Sequence, residues 1–224
     1  MRLYKVQADV LKWRKVEQER AITVFRNEFV GENAAMQSIK VLILGESHYE
    51  SETKIGGTAD VVKYLAVQGK DDRTQFYKNI MRAFGYDPTP EQRKLFWNKV
   101  YCGNYVSDLC GIRGNNTAAK RIKTNRKRYN DELFSFINDK GIDVVFCFSR
   151  LVYRNLPSAA AGEKEDSLIE SATNRLTRFQ YNAGIEHGDC GVLLKKPLTV
   201  YGLKHPSAGF SPAVYSSFLS MEIF

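Results

Sequence analysis

Few residues in this 224-residue chain are of types that do acid–base, nucleophilic or metal chemistry. There are three histidines, His48, His187 and His205, and four cysteines, Cys102, Cys110, Cys147 and Cys190. No two cysteines share the C-x-x-C spacing of a zinc ribbon or an iron–sulfur site, and a His-rich metal site would need most of the histidines. No metal and no other cofactor is therefore expected. Cys102 and Cys147 fall in apolar, strand-like runs, where a free cysteine acts as a small buried hydrophobe. His48 belongs to Gly45-Glu46-Ser47-His48-Tyr49 and His205 to His205-Pro206-Ser207, each directly after an apolar run. Such a histidine can move a proton or donate a hydrogen bond to developing negative charge. His187, in Glu186-His187-Gly188-Asp189, has no such run before it and is expected to be structural or solvent-facing.

Two other chemistries fail on spacing. Gly45-Glu46-Ser47-His48 begins like the nucleophile elbow of a serine hydrolase, with Ser47 as nucleophile and His205 as base. That elbow needs Gly at the fifth position, where this chain has Tyr49. Gly56-Gly57-Thr58 lacks the lysine and the spacing of a nucleotide-hydrolase phosphate loop, although a helix start there could hold one phosphate.

The elements that must position these residues are read from periodicity. Val6, Val10 and Trp13, then Ile22, Phe25 and Phe29, recur at helix-like spacing among charges, which predicts a helical N-terminal extension over 1–38. Lys40 to Gly45 reads as a buried strand closed by glycine. A helix is predicted from Ala59, and another through Phe76, Ile80 and Phe84 to Gly85. Thr89-Pro90-Glu91-Gln92 pairs a capping Thr with Pro at the first helical position, a third helix start. Val100 to Leu109 reads as strand plus loop, Leu133, Phe134 and Ile137 as a helix ending at Gly141, and Asp143 to Phe148 as a second buried strand. Residues 157–191 read as an irregular excursion with one short helix. Leu198 to Leu203 is the last strand, before a terminal helix from Pro212 to Phe224. Strands alternating with helices predict an α/β fold, a three-layer α/β/α sandwich on a mainly parallel central sheet. In such sheets ligands bind beyond the carboxyl ends of the strands. The candidates there are Glu46 to Tyr49, Asn104-Tyr105, Ser149-Arg150 and His205 to Ser207.

Charge adds one localised feature. Lys and Arg number 33 against 25 Asp and Glu, a net charge of +8. Arg113, Lys120, Arg121, Lys123, Arg126, Lys127 and Arg128 form a run without an acidic residue. It suits nucleic-acid phosphates or a solvated, mobile loop. Hydrophobic residues at 43% exclude a disordered or collagen-like chain. No run reaches the roughly 18 apolar residues of a membrane span, and Met1 to Arg20 carries charges throughout, with no apolar signal core. A single cytoplasmic domain over 1–224, monomeric and with no membrane partner, is expected.

The strand ends in their order along the chain resemble the uracil-DNA glycosylase superfamily. Its first motif follows a buried strand and reads Gly-Gln-Asp-Pro-Tyr in its best-known branch, where this chain has Gly45-Glu46-Ser47-His48-Tyr49. Its late motif reads His-Pro-Ser-Pro-Leu, where this chain has His205-Pro206-Ser207-Ala208-Gly209-Phe210. Asn104 matches an Asn at an intervening strand end, and Val144 to Phe148 sits where the family has its third buried strand. The agreement runs from residue 40 onward.

The resemblance implies a uracil-DNA glycosylase-like fold and hydrolysis of the N-glycosidic bond of a modified base in DNA, flipped out of the stack. It implies that His205 stabilises the departing base and that Asn104 reads its edge with one donor and one acceptor. Gly45, Glu46, His48 and Tyr49 would line the pocket, with Tyr49 as its wall. Ser207 would hold a phosphate, assisted by Lys204, and Lys120, Arg121, Lys123, Arg126 and Lys127 would contact others. Ser47 stands where the family has its water-activating Asp, and Ser is no general base at neutral pH. Losing a positioned base costs about 10²–10⁴ in rate; Glu46 and Glu50 flank the position. Phe210 replaces the family's Leu, either as an apolar wedge or as an anchor for the terminal helix. The alternative reading is a nucleic-acid-binding member that kept the fold and lost catalysis.

Overall fold

The computed structural model describes residues 28–48, 57–70, 74–110, 117–157, 166–170 and 174–222. In chain order they form β1 (Phe29–Val30), β2 (Val41–His48), α1 (Thr58–Val61) running into a π-helical turn (Val62–Val67), α2 (Gln75–Ala83), α3 (Pro90–Trp97), β3 (Tyr101–Leu109) and α4 (Thr117–Lys140). Then follow β4 (Val144–Cys147), α5 (Arg150–Tyr153), β5 (Asp166–Glu170), β6 (Arg175–Tyr181), β7 (Leu198–Gly202) and α6 (Pro212–Glu222).

The strands make one seven-stranded sheet in the order β1-β3-β2-β4-β7-β6-β5. Its four central strands, β3-β2-β4-β7, are parallel, while β1 on one flank and β6 and β5 on the other run antiparallel to their neighbours. The fold is thus mixed α/β with a parallel centre, as the alternating pattern predicts. Central strands need apolar residues on both faces, and β2 supplies them. Leu42 and Leu44 join Val145, Cys147 and Val200 against Ile122, Tyr129, Leu133 and Phe134 of α4. Val41 and Ile43 join Phe146 and Tyr201 against Ile80 and Met81 of α2, Trp97 of α3 and Tyr215 of α6. Phe146 and Tyr201 stack at 4.9 Å between ring centroids. At the amino edge Asp143 accepts from Lys40 N at 2.8 Å, pairs with the Lys196 ammonium, and through its carbonyl accepts from Thr199 N at 3.1 Å. The starts of β2, β4 and β7 are thereby pinned together, which sets the register of the residues at their far ends.

Several predicted elements form as their local chemistry dictates. Thr89 Oγ1 caps α3 by accepting from Gln92 N at 3.3 Å, with Pro90 first in the helix. Gly141 ends α4 at φ +63°, a left-handed conformation that glycine adopts without Cβ strain. Among the described residues no helix is long and apolar enough to cross a membrane.

Others differ. Residues 1–27 of the predicted N-terminal extension lie outside the described residues, and over 28–38 the chain is not α-helical. Phe29 sits in β1, paired with Cys102, and Ala34–Met36 form a single 3-10 turn. β2 does not stop at Gly45 but runs on through Glu46, Ser47 and His48, and β3 is strand over the whole of Tyr101–Leu109. The basic stretch is no loop. Ala118, Ile122, Tyr129, Leu133 and Ile137 are buried at helical spacing beneath the charges, so α4 begins at Thr117. The expected excursion over 157–191 contains the β5–β6 hairpin, which extends the sheet. Its β6 buries Leu176, Thr177 and Tyr181 while Arg175 stays exposed, and Arg178 pairs with Asp166 across the hairpin at 2.7 Å.

Candidate functional site

The carboxyl ends of four adjacent parallel strands bring the candidate residues to one edge of the sheet. Gly45 of β2 lies opposite Asn104 of β3 in the parallel register. A Cβ at position 45 would meet Asn104 Oδ1 inside the 3.0 Å that real Cβ atoms keep, so glycine is what lets this amide lie over β2. Asn104 Nδ2 donates to Thr58 Oγ1 at 3.4 Å, at the start of α1, where Gly57 N donates to Asp60 Oδ2 at 3.1 Å. The amide is therefore held from two sides by the strand end and the first helical turn beyond it.

Glu46 accepts from Ser149 Oγ at 2.7 Å. Ser149 ends the segment after β4 and caps α5, its Oγ accepting from Val152 N at 3.3 Å. Both oxygens of this pair work in tying β2 to β4. The hydroxyl of Ser47 is buried and makes no hydrogen bond of ordinary geometry. Its neighbour is the Cys110 thiol, which burial pushes up and Ser47 pulls partly back. At the next residue the register with β3 jumps, Ser47 facing Val106 and His48 facing Leu109. Such an irregularity re-aims the end of a strand. Tyr49, Glu50 and Arg113 lie outside the described residues.

His205 follows β7. Its Nδ1 accepts from Ser207 N at 3.2 Å, and its ring lies 5.2 Å from that of Phe76 on α2. A neutral imidazole that accepts at Nδ1 carries its proton on Nε2. The loop is fixed from below, since Asn79 Nδ2 donates to Pro206 O at 2.9 Å and Asn79 Oδ1 accepts from Gln75 Nε2 at 2.7 Å. Ser207 is exposed and Lys204 half-buried, the latter with its ammonium near Gly209. Phe210 stacks on Tyr215 of α6 at 4.7 Å and lies 6.0 Å from Phe148. That packing of a half-buried ring on the core is the arrangement the anchoring reading expects.

On α4 the basic residues are largely paired. Asp108 of β3 takes Arg128, and Arg121 at 3.7 Å. Asp189 takes Arg126 at 2.8 Å, and Asp131 takes Lys127 at 2.6 Å. Lys120 and Lys123 are exposed. His187 is structural: wholly buried, it lies with Nε2 at 2.8 Å from Asn182 O and its ring against Tyr181. All four cysteines are buried free thiols; burial pushes Cys102 and Cys147 up to about 12 and Cys190 to about 11. Among the described residues no three His, Cys, Asp or Glu side chains converge as metal ligands would.

Sequence reasoning placed Gly45, Glu46, Ser47, Asn104 and His205 at strand ends; His205 does follow β7, whereas β2 runs on past Gly45 to His48 and β3 runs on past Asn104 to Leu109. It missed Thr58, Phe76 and Asn79 as site residues. Phe76 read as helix core, and Asn79, three residues on along the same helix, was the available signal. No family model matches the chain, and no curated protein is significantly similar to it.

Proposed function

We propose that this protein is a DNA glycosidase of the uracil-DNA glycosylase kind, acting as a cytoplasmic monomer on a base flipped out of the stack. The observation that carries the reading is the pairing of a pinned amide, Asn104 over Gly45, with a histidine whose Nδ1 accepts from Ser207 N. Asn104 lies in β3 and His205 follows β7, two of the four parallel strands at the centre of one sheet. Asn104 would present one donor and one acceptor to the edge of the base. As the C1′–N bond breaks, its electron pair passes to the base, and a proton on His205 Nε2 hydrogen-bonds the carbonyl oxygen where negative charge collects. Water adds to the sugar carbon and loses its proton to solvent, because Ser47 cannot take it. Such an enzyme is slower by about 10²–10⁴ than one with a positioned base.

The test is base release from labelled oligonucleotides carrying uracil, hypoxanthine, xanthine or a G·T mismatch, single- and double-stranded. The parent chain is expected to release one of these bases and His205→Ala to lose at least about a hundredfold in rate. Equal release by both proteins would sink the assignment.

A specific observation also favours the second reading, binding without catalysis. The carboxylate next to the Asp position, Glu46, is engaged by Ser149, and the Ser47 hydroxyl is buried. Salt-sensitive retention of every oligonucleotide with release of no base would decide for it.

A further inference from the structure

On the α4 side of the sheet lies a cleft of about 350 Å³ whose polar lining is Lys123, Thr124, Arg126, Lys127, Asn155 and Asp189. It belongs to a different place from the strand-end site. Ile122, on its wall, packs in the core under α4, whereas Phe76, beside His205, packs in the core on the other face.

The cleft is cationic with one competing anion. Arg126 donates from both Nε and Nη2 to the same oxygen of Asp189, at 3.2 and 2.8 Å. Asp189 comes from the loop between β6 and β7, and the pair is open to water, with side chains 50% and 39% exposed. Asp189 is also within hydrogen-bond reach of the Asn130 side chain, and Asp131 holds Lys127 and accepts from Gly191 N at 2.6 Å. Lys123 has no ion-pair partner among the described residues. The helix is kinked at Asn125, φ −123°, between Lys123 and Arg126. An exposed ion pair contributes only about 0–1 kcal/mol, so another oxyanion that fits the guanidinium fork can replace the carboxylate at little cost.

We infer that this cleft takes a backbone phosphate of a nucleic-acid strand, which displaces Asp189 from Arg126 and is held by Lys123 as well. The inference rests on the nucleic-acid part of the proposed function and not on base release. Asp189 is then a built-in competitor that keeps affinity low until the strand is offered.

The experiment is fluorescence anisotropy of the full chain with a labelled single-stranded oligonucleotide of unmodified bases, over a range of salt, with inorganic phosphate as competitor. Asp189→Asn keeps the shape and removes the competing charge, and is expected to tighten binding about three- to tenfold. Lys123→Ala is expected to weaken it and to lower the slope of log K against log salt by about 0.7. Lys94→Ala, on α3 at the other face, serves as the control. Unchanged or weaker binding by Asp189→Asn, a Lys123→Ala indistinguishable from the control, or no salt-sensitive binding by the parent chain each overturns the inference. Inorganic phosphate is expected to compete against the parent more than against Lys123→Ala, and equal competition counts against the cleft. Excision measured on the same proteins separates the two proposals. Excision without these effects removes the cleft alone; these effects without excision remove the glycosidase alone.

Discussion

A methyl group on residue 45 would press into Asn104 Oδ1, and that one contact links a strand glycine to whatever the amide recognises. Gly45→Ala is expected to cost about 1–3 kcal/mol of stability, as overpacking does, and to push Asn104 off β2. Melting temperature reads the first effect, and, under the proposed function, loss of discrimination between oligonucleotides reads the second. Glu28 is another residue whose surroundings set its behaviour. It packs on Gly103, near Lys140 and Asp139 of α4, and burial pushes its carboxyl from 4.5 up to about 7. Between those values the folded chain holds a proton that the unfolded chain has lost, so stability falls as pH rises through the window and is level above it. Glu28→Gln removes that slope. The variant is expected to gain about 1 kcal/mol over the parent at pH 8, screening by solvent included, and nothing at pH 4; urea unfolding at the two pH values checks it. Residues such as Gly45, Asn104 and His205 were legible because each follows an apolar run. Thr58, Phe76 and Asn79 were not, since only the folded helices bring them to the strand ends.

At the scale of elements, legibility followed how local the determining interaction is. The start of α3 depends on contacts within four residues, and Thr89 caps it as its neighbours dictate. Thr89→Ala is accordingly expected to lower stability by about 1 kcal/mol, seen as a lower Tm with unchanged binding. The basic half of α4 hides the same regularity under charge. Its buried residues Ala118 and Ile122 are spaced for a helix, but the cations around them need Asp108 and Asp189, distant in sequence, to be compensated. The β5–β6 hairpin was unreadable for a related reason. β5 is the edge strand, and in β6, paired on both sides, Arg175, Arg178 and Gln180 interrupt the apolar residues, so neither a continuous apolar run nor a clean alternation marks them.

For the molecule as a whole, the described residues pack an apolar core on each face of the sheet, and the thiols report it. Cys102 and Cys147 lie in different cores, each wholly enclosed. A thiol reagent is therefore expected to react with none of the four cysteines on the timescale of mixing, and with all four after unfolding. Prompt reaction of one thiol in the native protein would place a gap in that packing. The class of fold was readable at this scale because β2, β4 and β7 each contain a short apolar run. The surroundings of Ser47 were readable only in part, because they depend on Cys110 and on Glu46 being held by Ser149, both distant in sequence.

The central strands also impose an order on biosynthesis. β2 lies between β3 and β4, and β4 is completed by β7, which arrives only at Leu198–Gly202. On a ribosome the chain must therefore keep apolar strands waiting, open on one side, until residues near 205 have left the exit tunnel. Until that moment there is no strand-end site to inhibit, to inspect or to misuse. A chain released before then carries β4 with an unpaired edge, and is a substrate for chaperones and proteases rather than a weak version of the finished protein.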